Sequence, residues 1–362
     1  MKTILHTESS LGWGGQEIRI IQEALGLRNR GYRILIAAEK NSVILNKAAH
    51  EGFETFPVSF LKYNPSSFWN IKSLIEKENV NIVNTHSSKD SWVSTIAAKL
   101  AYNKPKIIRT RHLSTPIKNN FLNRLIYDIL PHAIITTGEE IRKNMIDKNK
   151  FNPNKIFSIP TGVDLERFNP EKVNPIFKSK EFKVGIIGVL RSWKGHIYLL
   201  EAVPIILNHI SNIKFYIVGD GPQRENIINY IKQLNIENWI IMTGYREDIP
   251  EILASLDVIV HPSYANEGVP QAIIQAMAMK KCVIASNIIG IREVVIDGET
   301  GLLIEPKKPV EIADKIIKVY KDKNFRKILG EKAQEIVKYK YSSDKMFENI
   351  EKIYNDLFFL KN

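Results

Sequence analysis

TILHTESSLGWGGQEIRIIQEALGLRNRGYRILIAA, residues 3–38, is the stretch from which the fold can be read. It holds an apolar run at 3–6, a turn with Gly12, Gly14 and Gly15, an amphipathic helix at 16–30 stopped by Gly31, and a second apolar run at 33–38. Neither run alternates polar with apolar residues. That is the pattern of parallel strands covered on both faces, with the helix as the crossover that parallel pairing requires. Strand-like runs at 82–85, 107–110 and 133–137 continue the rhythm, and Asn152-Pro153 interrupts it. The loop IPTGVDLERFNP (159–170) and the polar stretch around Pro175 then read as an interdomain linker.

Beyond residue 180 the rhythm restarts. Strands are expected at 182–187, 214–218, 239–242, 257–261, 282–286 and 301–304, with helices at 198–208, 224–234, 249–255, 270–279 and 310–320. The fold class is therefore α/β, with two doubly wound Rossmann-like domains facing across a cleft and ligands at the carboxyl ends of the strands. A length of 362 residues suits two such domains, at about 100–200 residues each.

Composition narrows the class further. Apolar residues make up 44% and charged residues 25%, which excludes disordered and coiled-coil chains. Cys282 is the single cysteine, so there is no disulfide framework and no cysteine-rich metal site; lying in the apolar run CVIAS, it reads as a core residue. MKTILHTESS lacks the apolar core of a signal peptide, and no run of about 18 apolar residues offers a membrane span. A cytoplasmic protein is expected. The net charge of +12 is unevenly placed: residues 1–170 hold 24 basic and 15 acidic side chains, the remainder 27 and 24. Lys99, Lys104, Lys106, Arg109, Arg111, Lys118 and Arg124 follow one another without an acid between Asp90 and Asp128, so an anionic neighbour is expected beside the first domain. No nucleic-acid-binding motif accompanies the cluster, and a nucleic-acid partner is not expected.

The Gly-rich turn of residues 12–15 can bring backbone N–H groups to a phosphate at a helix start. A dinucleotide fingerprint would need Gly at position 17, where Glu17 stands, and there is no Gly-Lys-Ser/Thr ending of a P-loop. Dehydrogenase and NTPase readings are disfavoured. Four later segments carry more: GVLRSWKGHIYLLEA (188–202), IVGDGPQRENI (217–227), TGYREDIPEILASLDVIVHPS (243–263) and EGVPQAIIQAMAMKKCVIAS (267–286). In order and spacing they resemble the C-terminal half of glycosyltransferase family 4, retaining nucleotide-sugar enzymes with the GT-B fold. PTGVDLERF (160–168), RTRH (109–112) and GWGGQE (12–17) are similar to that family's interdomain, acceptor-side and N-terminal glycine signatures.

The resemblance implies a chemistry and a set of residues. It assigns donor binding to Gly14, Gly15, Gly188, Arg191, Lys194, Glu267, Gly268, Val269 and Gln275, and acceptor binding to Arg111 and His112. Glu267, Lys194, His112 and Arg191 form the catalytic set. Departure of a nucleoside diphosphate puts negative charge on the phosphates as positive charge grows at the anomeric carbon, so cations and N–H donors must already stand at the phosphates. Lys194, before Gly195 at a strand–loop–helix junction, suits that task. The family commonly carries Arg where this chain has Val189, so Arg191 supplies the second cation from a shifted position or is a loop arginine. The family's second glutamate is Gln275 here; it can still hydrogen-bond a ribose but without the charge-assisted strength. Of Arg109 and Arg111, only one is expected to face the ligand. Domain boundaries are expected at 1–165 and 166–340, and by resemblance a helix within 341–362 crosses back to the first domain.

No Asp-x-Asp or metal-spaced His pair occurs, so no cofactor or metal is expected, with a UDP- or GDP-linked sugar as co-substrate. The acceptor class is a cell-surface glycan or a lipid-linked molecule. In LSTPIKNNFLNRLIYDILPHA (113–133), Phe121, Leu122, Leu125, Ile126, Ile129 and Leu130 fall at helical spacing. Two readings stand: a helix packed on its own domain, or one that with the basic cluster seats the protein on the inner face of the cytoplasmic membrane. A sugar-nucleotide epimerase of the same fold and an inert sugar-nucleotide-binding partner protein are the competing functions.

Overall fold

The computed structural model describes residues 1–61, 64–112, 115–265 and 268–359. They form two units: Met1–Thr161 together with the segment from Asp344, and Gly162–Ser343. In the first unit, β1 (Thr3–Glu8), β2 (Arg33–Glu39), β3 (Glu54–Val58), β4 (Ile82–Thr85), β5 (Lys106–Arg111), β6 (Ala133–Thr136) and β7 (Ile156–Ser158) form one sheet in the order β3-β2-β1-β4-β5-β6-β7. In the second, β8 (Phe182–Ile187), β9 (Ile213–Val218), β10 (Ile240–Gly244), β11 (Val258–His261), β12 (Cys282–Ser286) and β13 (Leu302–Ile304) run β10-β9-β8-β11-β12-β13. Every pairing between these strands is parallel.

Alternate residues of the inner strands feed opposite layers. Ile4, Ile36, Ile82 and Ile108 join a core with Ile20, Ala24 and Leu27 of the helix Gly15–Asn29. Leu5, Leu35, Val83 and Ile107 join another with Ile71 and Ile75 of the helix Pro65–Lys77 and Val93 and Ala97 of the helix Ser88–Leu100. Both faces are covered, which is why these strands read as unbroken apolar runs. The edge strands differ: β3 carries Pro57 and is partly exposed, and β7 is three residues long, so neither has a strong apolar signature.

The stretch expected to be a linker is part of the second unit. Val163 and Phe168 are buried in its core, Leu165, Val173 and Phe177 pack against it, and Val163 pairs with Ser342. Apolar residues spaced among the polar ones anchor the segment. The chain therefore divides at Thr161/Gly162 and Ser343/Asp344, where the sequence reading had 165/166 and 340/341. The helix Lys323–Lys340, absent from that reading, completes the second unit with Leu329, Ala333 and Val337 buried.

The helix Ser343–Phe359 packs on the first unit, burying Met346, Phe347, Ile350, Ile353, Tyr354 and Leu357. Gly26 makes room for it: a Cβ there would lie 2.2 Å from the Phe347 ring. Beneath it, the Tyr354 hydroxyl donates to Glu23 Oε1 at 3.2 Å, Asn84 Nδ2 donates to the same oxygen at 3.2 Å, and Arg19 Nε stands 3.8 Å from Glu23 Oε2. Burial raises the Glu23 pKa despite Arg19, so each remaining partner of that carboxyl counts. Tyr354→Phe is expected to destabilise the first unit by about 1–3 kcal/mol. In denaturant-dependent hydrogen exchange, protection should fall in β1 and β4 and stay unchanged in β8 and β11.

Candidate functional site

In each sheet the chain leaves one side of the first strand and returns on the other, between β1 and β4 and between β8 and β11. Crossovers diverge at such a point and leave a crevice at the carboxyl ends of the strands. Loops from those ends carry the predicted residues. Gly14, Gly15, Arg111 and His112 belong to the first unit; Gly188, Arg191, Lys194, Gly268, Val269 and Gln275 belong to the second. Glu267 lies outside the described residues.

In the first unit, Gly14 is the extended cap of the helix Gly15–Asn29, with no side chain bonded to the helix start, and a Cβ on Gly15 would meet nothing within 4 Å. The Glu17 carboxylate of the first turn stands beside Gly14, its Oε2 3.5 Å from where a Cβ on Gly14 would lie. Glu8, ending β1, accepts from Ser10 N at 2.7 Å and from Gln16 Nε2 and Ser87 Oγ. After β4, the backbone N–H of His86 and the Thr7 hydroxyl donate to Asp90 Oδ2 at 2.9 and 3.0 Å. Burial, then the neighbouring Glu8, pushes the Asp90 pKa up to about 8, so this carboxyl is largely protonated near neutral pH.

Three imidazoles run in a file toward the strand ends. His6 Nδ1 lies 3.0 Å from His86 Nε2, and His86 Nδ1 lies 3.0 Å from His112 Nε2. Successive ring centroids are 5.3 Å apart. Burial lowers the pKa of all three, and for His86 and His112 neighbouring Arg19 and Arg109 lower it further. The file is neutral, and each N···N contact holds one proton.

His112 lines a cavity of about 330 Å³ together with Gln16, Ser87, Arg109, Arg111, Lys118 and Tyr127. Arg109 and Arg111 both bond the Tyr127 hydroxyl, each at 2.9 Å. The expectation that only one arginine faces the ligand is corrected: residues two apart on a strand share a face. Tyr127, Ser87 and His86 were not singled out from sequence, and Arg109 was named there only in the basic cluster and as the alternative to Arg111. The period of β5 could have found Arg109, and HSSKD, a serine-capped helix start after a strand, could have found His86 and Ser87. The 121–130 stripe is divided as well. It forms a short α-helix, Phe121–Arg124, and a π turn, Leu125–Ile129; Ile126 is buried, whereas Phe121, Leu122 and Ile129 are exposed.

In the second unit, Gly188 follows β8, and Leu190 N donates to Asp220 O in the loop after β9. Val189, where the family pattern would have arginine, is half exposed. A 3₁₀ turn, Ser192–Lys194, leads into Gly195 with φ +72°, where a Cβ would stand 2.1 Å from the Pro262 carbonyl. Only glycine fits that approach. The helix His196–Leu207 thus starts against the loop after β11, where Tyr264 N donates to Trp193 O at 2.9 Å. Lys194 is half buried, and Arg191 is exposed with its guanidinium 5.0 Å from the Trp193 ring centre. Gly268 and Val269 precede the helix Gln271–Ala278, which holds Gln275 half buried in its second turn. The structure thus gathers the loops of Gly188–Lys194 and Gly268–Val269 at the ends of two adjacent strands. Among the described residues, no three His, Cys, Asp or Glu side chains gather as a metal site, and no helix is long and apolar enough to cross a membrane.

Comparison with known proteins places both halves. A family profile described as Glycosyltransferase Family 4 matches residues 13–167, and one described as Glycosyl transferases group 1 matches residues 168–336. The chain is 31% identical to the UDP-Gal:alpha-D-GlcNAc-diphosphoundecaprenol alpha-1,3-galactosyltransferase of Escherichia coli over 88% of each chain. A crystal structure of a glycosyltransferase from Rickettsia africae superposes with a TM-score of 0.90 at 25% identity, covering 99% of both chains. Anabaena HepE in complex with UDP-glucose shares the fold, with a TM-score of 0.83 at 20% identity over 98% of this chain and all of that one. With two Rossmann-like units, each matched by its profile, and a relative alike over most of its length, the chain belongs to glycosyltransferase family 4 and has the GT-B fold.

Proposed function

We propose that the protein is a retaining hexosyltransferase that moves a sugar from a UDP-linked donor to a cell-surface glycan or lipid-linked acceptor. The observation that carries this reading is the junction at the end of β8, where Lys194 and Arg191 flank the start of the helix His196–Leu207 beside the Gly268–Val269 loop. A diphosphate leaving group needs such a set of a cation, helix-start N–H groups and close backbone approach. UDP-glucose bound by a protein of the same fold and a UDP-Gal donor for an Escherichia coli relative support a uridine nucleotide. That relative's diphosphoundecaprenol acceptor supports a lipid-linked one.

In this reading Lys194 and Arg191 meet the diphosphate and Gly188 allows backbone to approach it, while the family resemblance assigns Gly14 and Gly15 to donor binding. Gly268 and Val269 present N–H groups to the sugar, and Gln275 bonds the ribose. Glu267 contacts the sugar hydroxyls near the anomeric carbon, as the family resemblance implies. The bond from the anomeric carbon to phosphate oxygen breaks as the acceptor oxygen bonds to the same face, and the acceptor proton passes to the departing phosphate. Charge on that phosphate is met by Lys194, Arg191 and N–H groups, so the reaction is proposed to run without a metal ion.

His112 stands on the acceptor side in a defined tautomer. His6 Nε2 is buried without a partner. An orphaned acceptor nitrogen is the lesser penalty than an orphaned N–H, so His6 carries its proton on Nδ1 and donates to His86 Nε2. His86 then donates from Nδ1 to His112 Nε2, and the His112 proton is left on Nδ1. His112 is thus a hydrogen-bond donor toward substrate oxygen and not a base. Exposed Phe121, Leu122 and Ile129 beside exposed Lys118 and Arg124 support a peripheral seat on anionic lipid at the inner face of the cytoplasmic membrane, each nearby cation adding about 1 kcal/mol.

Three outcomes are expected. Calorimetric titration with UDP-, GDP-, ADP- and CMP-sugars should show UDP-sugar binding, and Lys194→Ala should cut kcat/KM at least about a hundredfold; an unchanged kcat/KM refutes the phosphate role. Nitrogen NMR of histidine-labelled protein should find His112 protonated at Nδ1, with the signature retained in His86→Asn and lost in His86→Leu. In vesicle flotation at low salt, wild type should bind anionic but not neutral liposomes, and Phe121→Asp/Leu122→Asp should abolish that binding; wild type that fails to float defeats the membrane seat.

A further inference from the structure

We propose that the cavity at the carboxyl ends of β4 and β5 is a phosphoryl site, which holds the phosphate or diphosphate carried by the acceptor close to the hydroxyl that receives the sugar. This deepens the transferase reading above and rests on it.

Two guanidiniums line the cavity from the same face of β5, Arg109 at 3% and Arg111 at 9% exposure. Among the described residues, their hydrogen bonds go to carbonyl and hydroxyl oxygens, and none goes to a carboxylate. Arg109 donates to the Ser87 carbonyl at 2.8 Å and the Tyr127 hydroxyl, and Arg111 donates to that hydroxyl, the Thr115 carbonyl and Thr115 Oγ1. Arg109 Nε is buried with no partner. The Tyr127 ring stacks beneath both, 4.4 and 5.4 Å from their central carbons. Two buried cations side by side repel each other, and burying a charge without a counter-charge is costly. The neighbouring carboxyls are engaged elsewhere: Asp90 accepts from Thr7, Ser9 and His86, and Glu8 from Ser10, Gln16 and Ser87.

The other cavity groups suit a phosphoryl oxygen as well. Exposed Lys118 stands at the mouth, and Ser88 begins the helix Ser88–Leu100, whose first N–H groups carry partial positive charge. An anion with several oxygens satisfies two guanidinium forks at once, which a single carboxylate or a neutral sugar cannot do. About 330 Å³ is at the small end of ligand pockets, roughly 300–1,000 Å³. It admits a headgroup, and the rest of the acceptor must lie outside. Arginine in place of lysine at both positions fits planar, forked recognition.

The test titrates the full chain with decyl diphosphate, decyl glucoside, inorganic pyrophosphate and UDP by calorimetry. Wild type is expected to bind decyl diphosphate and not decyl glucoside. Arg111→Lys should weaken decyl diphosphate at least about tenfold, and the surface variant Lys118→Glu, which leaves the core untouched, severalfold, with the Kd for UDP unchanged in both. Lys194→Ala should do the reverse, weakening UDP alone. Decyl diphosphate affinity indifferent to both Arg111→Lys and Lys118→Glu overturns the proposal. So does UDP affinity falling in parallel, which would give the cavity to the donor, or pyrophosphate matching decyl diphosphate at this site, which would make it a site for free phosphate. Failure of the transferase reading is separate: UDP would not bind, or would ignore Lys194→Ala, whatever the decyl diphosphate arm shows.

Discussion

A parallel sheet covered on both faces leaves ligands almost nowhere to go. Its backbone polar groups are spent on neighbouring strands, its faces are filled by helices, and its edges are short. The exception is the place where consecutive crossovers depart to opposite sides, β1/β4 in one unit and β8/β11 in the other. The candidate site residues described above are attached at these points or beside them. The Glu8 loop, the histidine file and the paired arginines sit at the first such point or on the adjacent β5; the Lys194 turn and the Gly268–Val269 loop sit at the second. The glycines follow from the same constraint, because loops from neighbouring strands run within van der Waals distance. At Gly195 and at Gly219, where a Cβ would come within 2.0 Å of the Gly188 carbonyl, no side chain can be accommodated.

Electrostatics distinguish the two points. In the second unit Lys194 is half buried and Arg191 is exposed. In the first, charges are buried and several are suppressed: Glu8 and Asp90 are raised, and the three histidines are held neutral, chiefly by burial. With the imidazoles neutral, Arg109 and Arg111 bring positive charge to the cavity they line. Two of the basic residues in the first half of the sequence, Arg109 and Arg111, thereby acquire a location, on one face of a single strand.

What could be read from sequence followed the physics of each element. Inner strands were legible because burial on both faces writes unbroken apolar runs, as at 182–187 and 282–286, which β8 and β12 match. Edge strands β3 and β7 were not, since partial exposure and Pro57 erase that signal. Residues 163–177 read as a linker because their polar majority hides the spaced anchors Val163, Phe168 and Phe177. Among site residues, Lys194 and Gly195 were legible through a local motif. The histidine file was not. His6 lies within β1 and His86 and His112 just after β4 and β5, and only tertiary register brings successive rings to N···N distances of 3.0 Å.

The return of the helix Ser343–Phe359 to the first unit sets an order of assembly on the ribosome. Residues 162–343 are contiguous, so the second unit has its whole core as soon as it emerges, while the first, started earliest, waits for Phe347, Ile350 and Tyr354. Until then Ile20, Ala24 and Leu27 face water along one side of an otherwise finished sheet. A nascent chain exposing that apolar strip is the natural client of a holdase chaperone, and a stop before Met346 would strand the protein in that state.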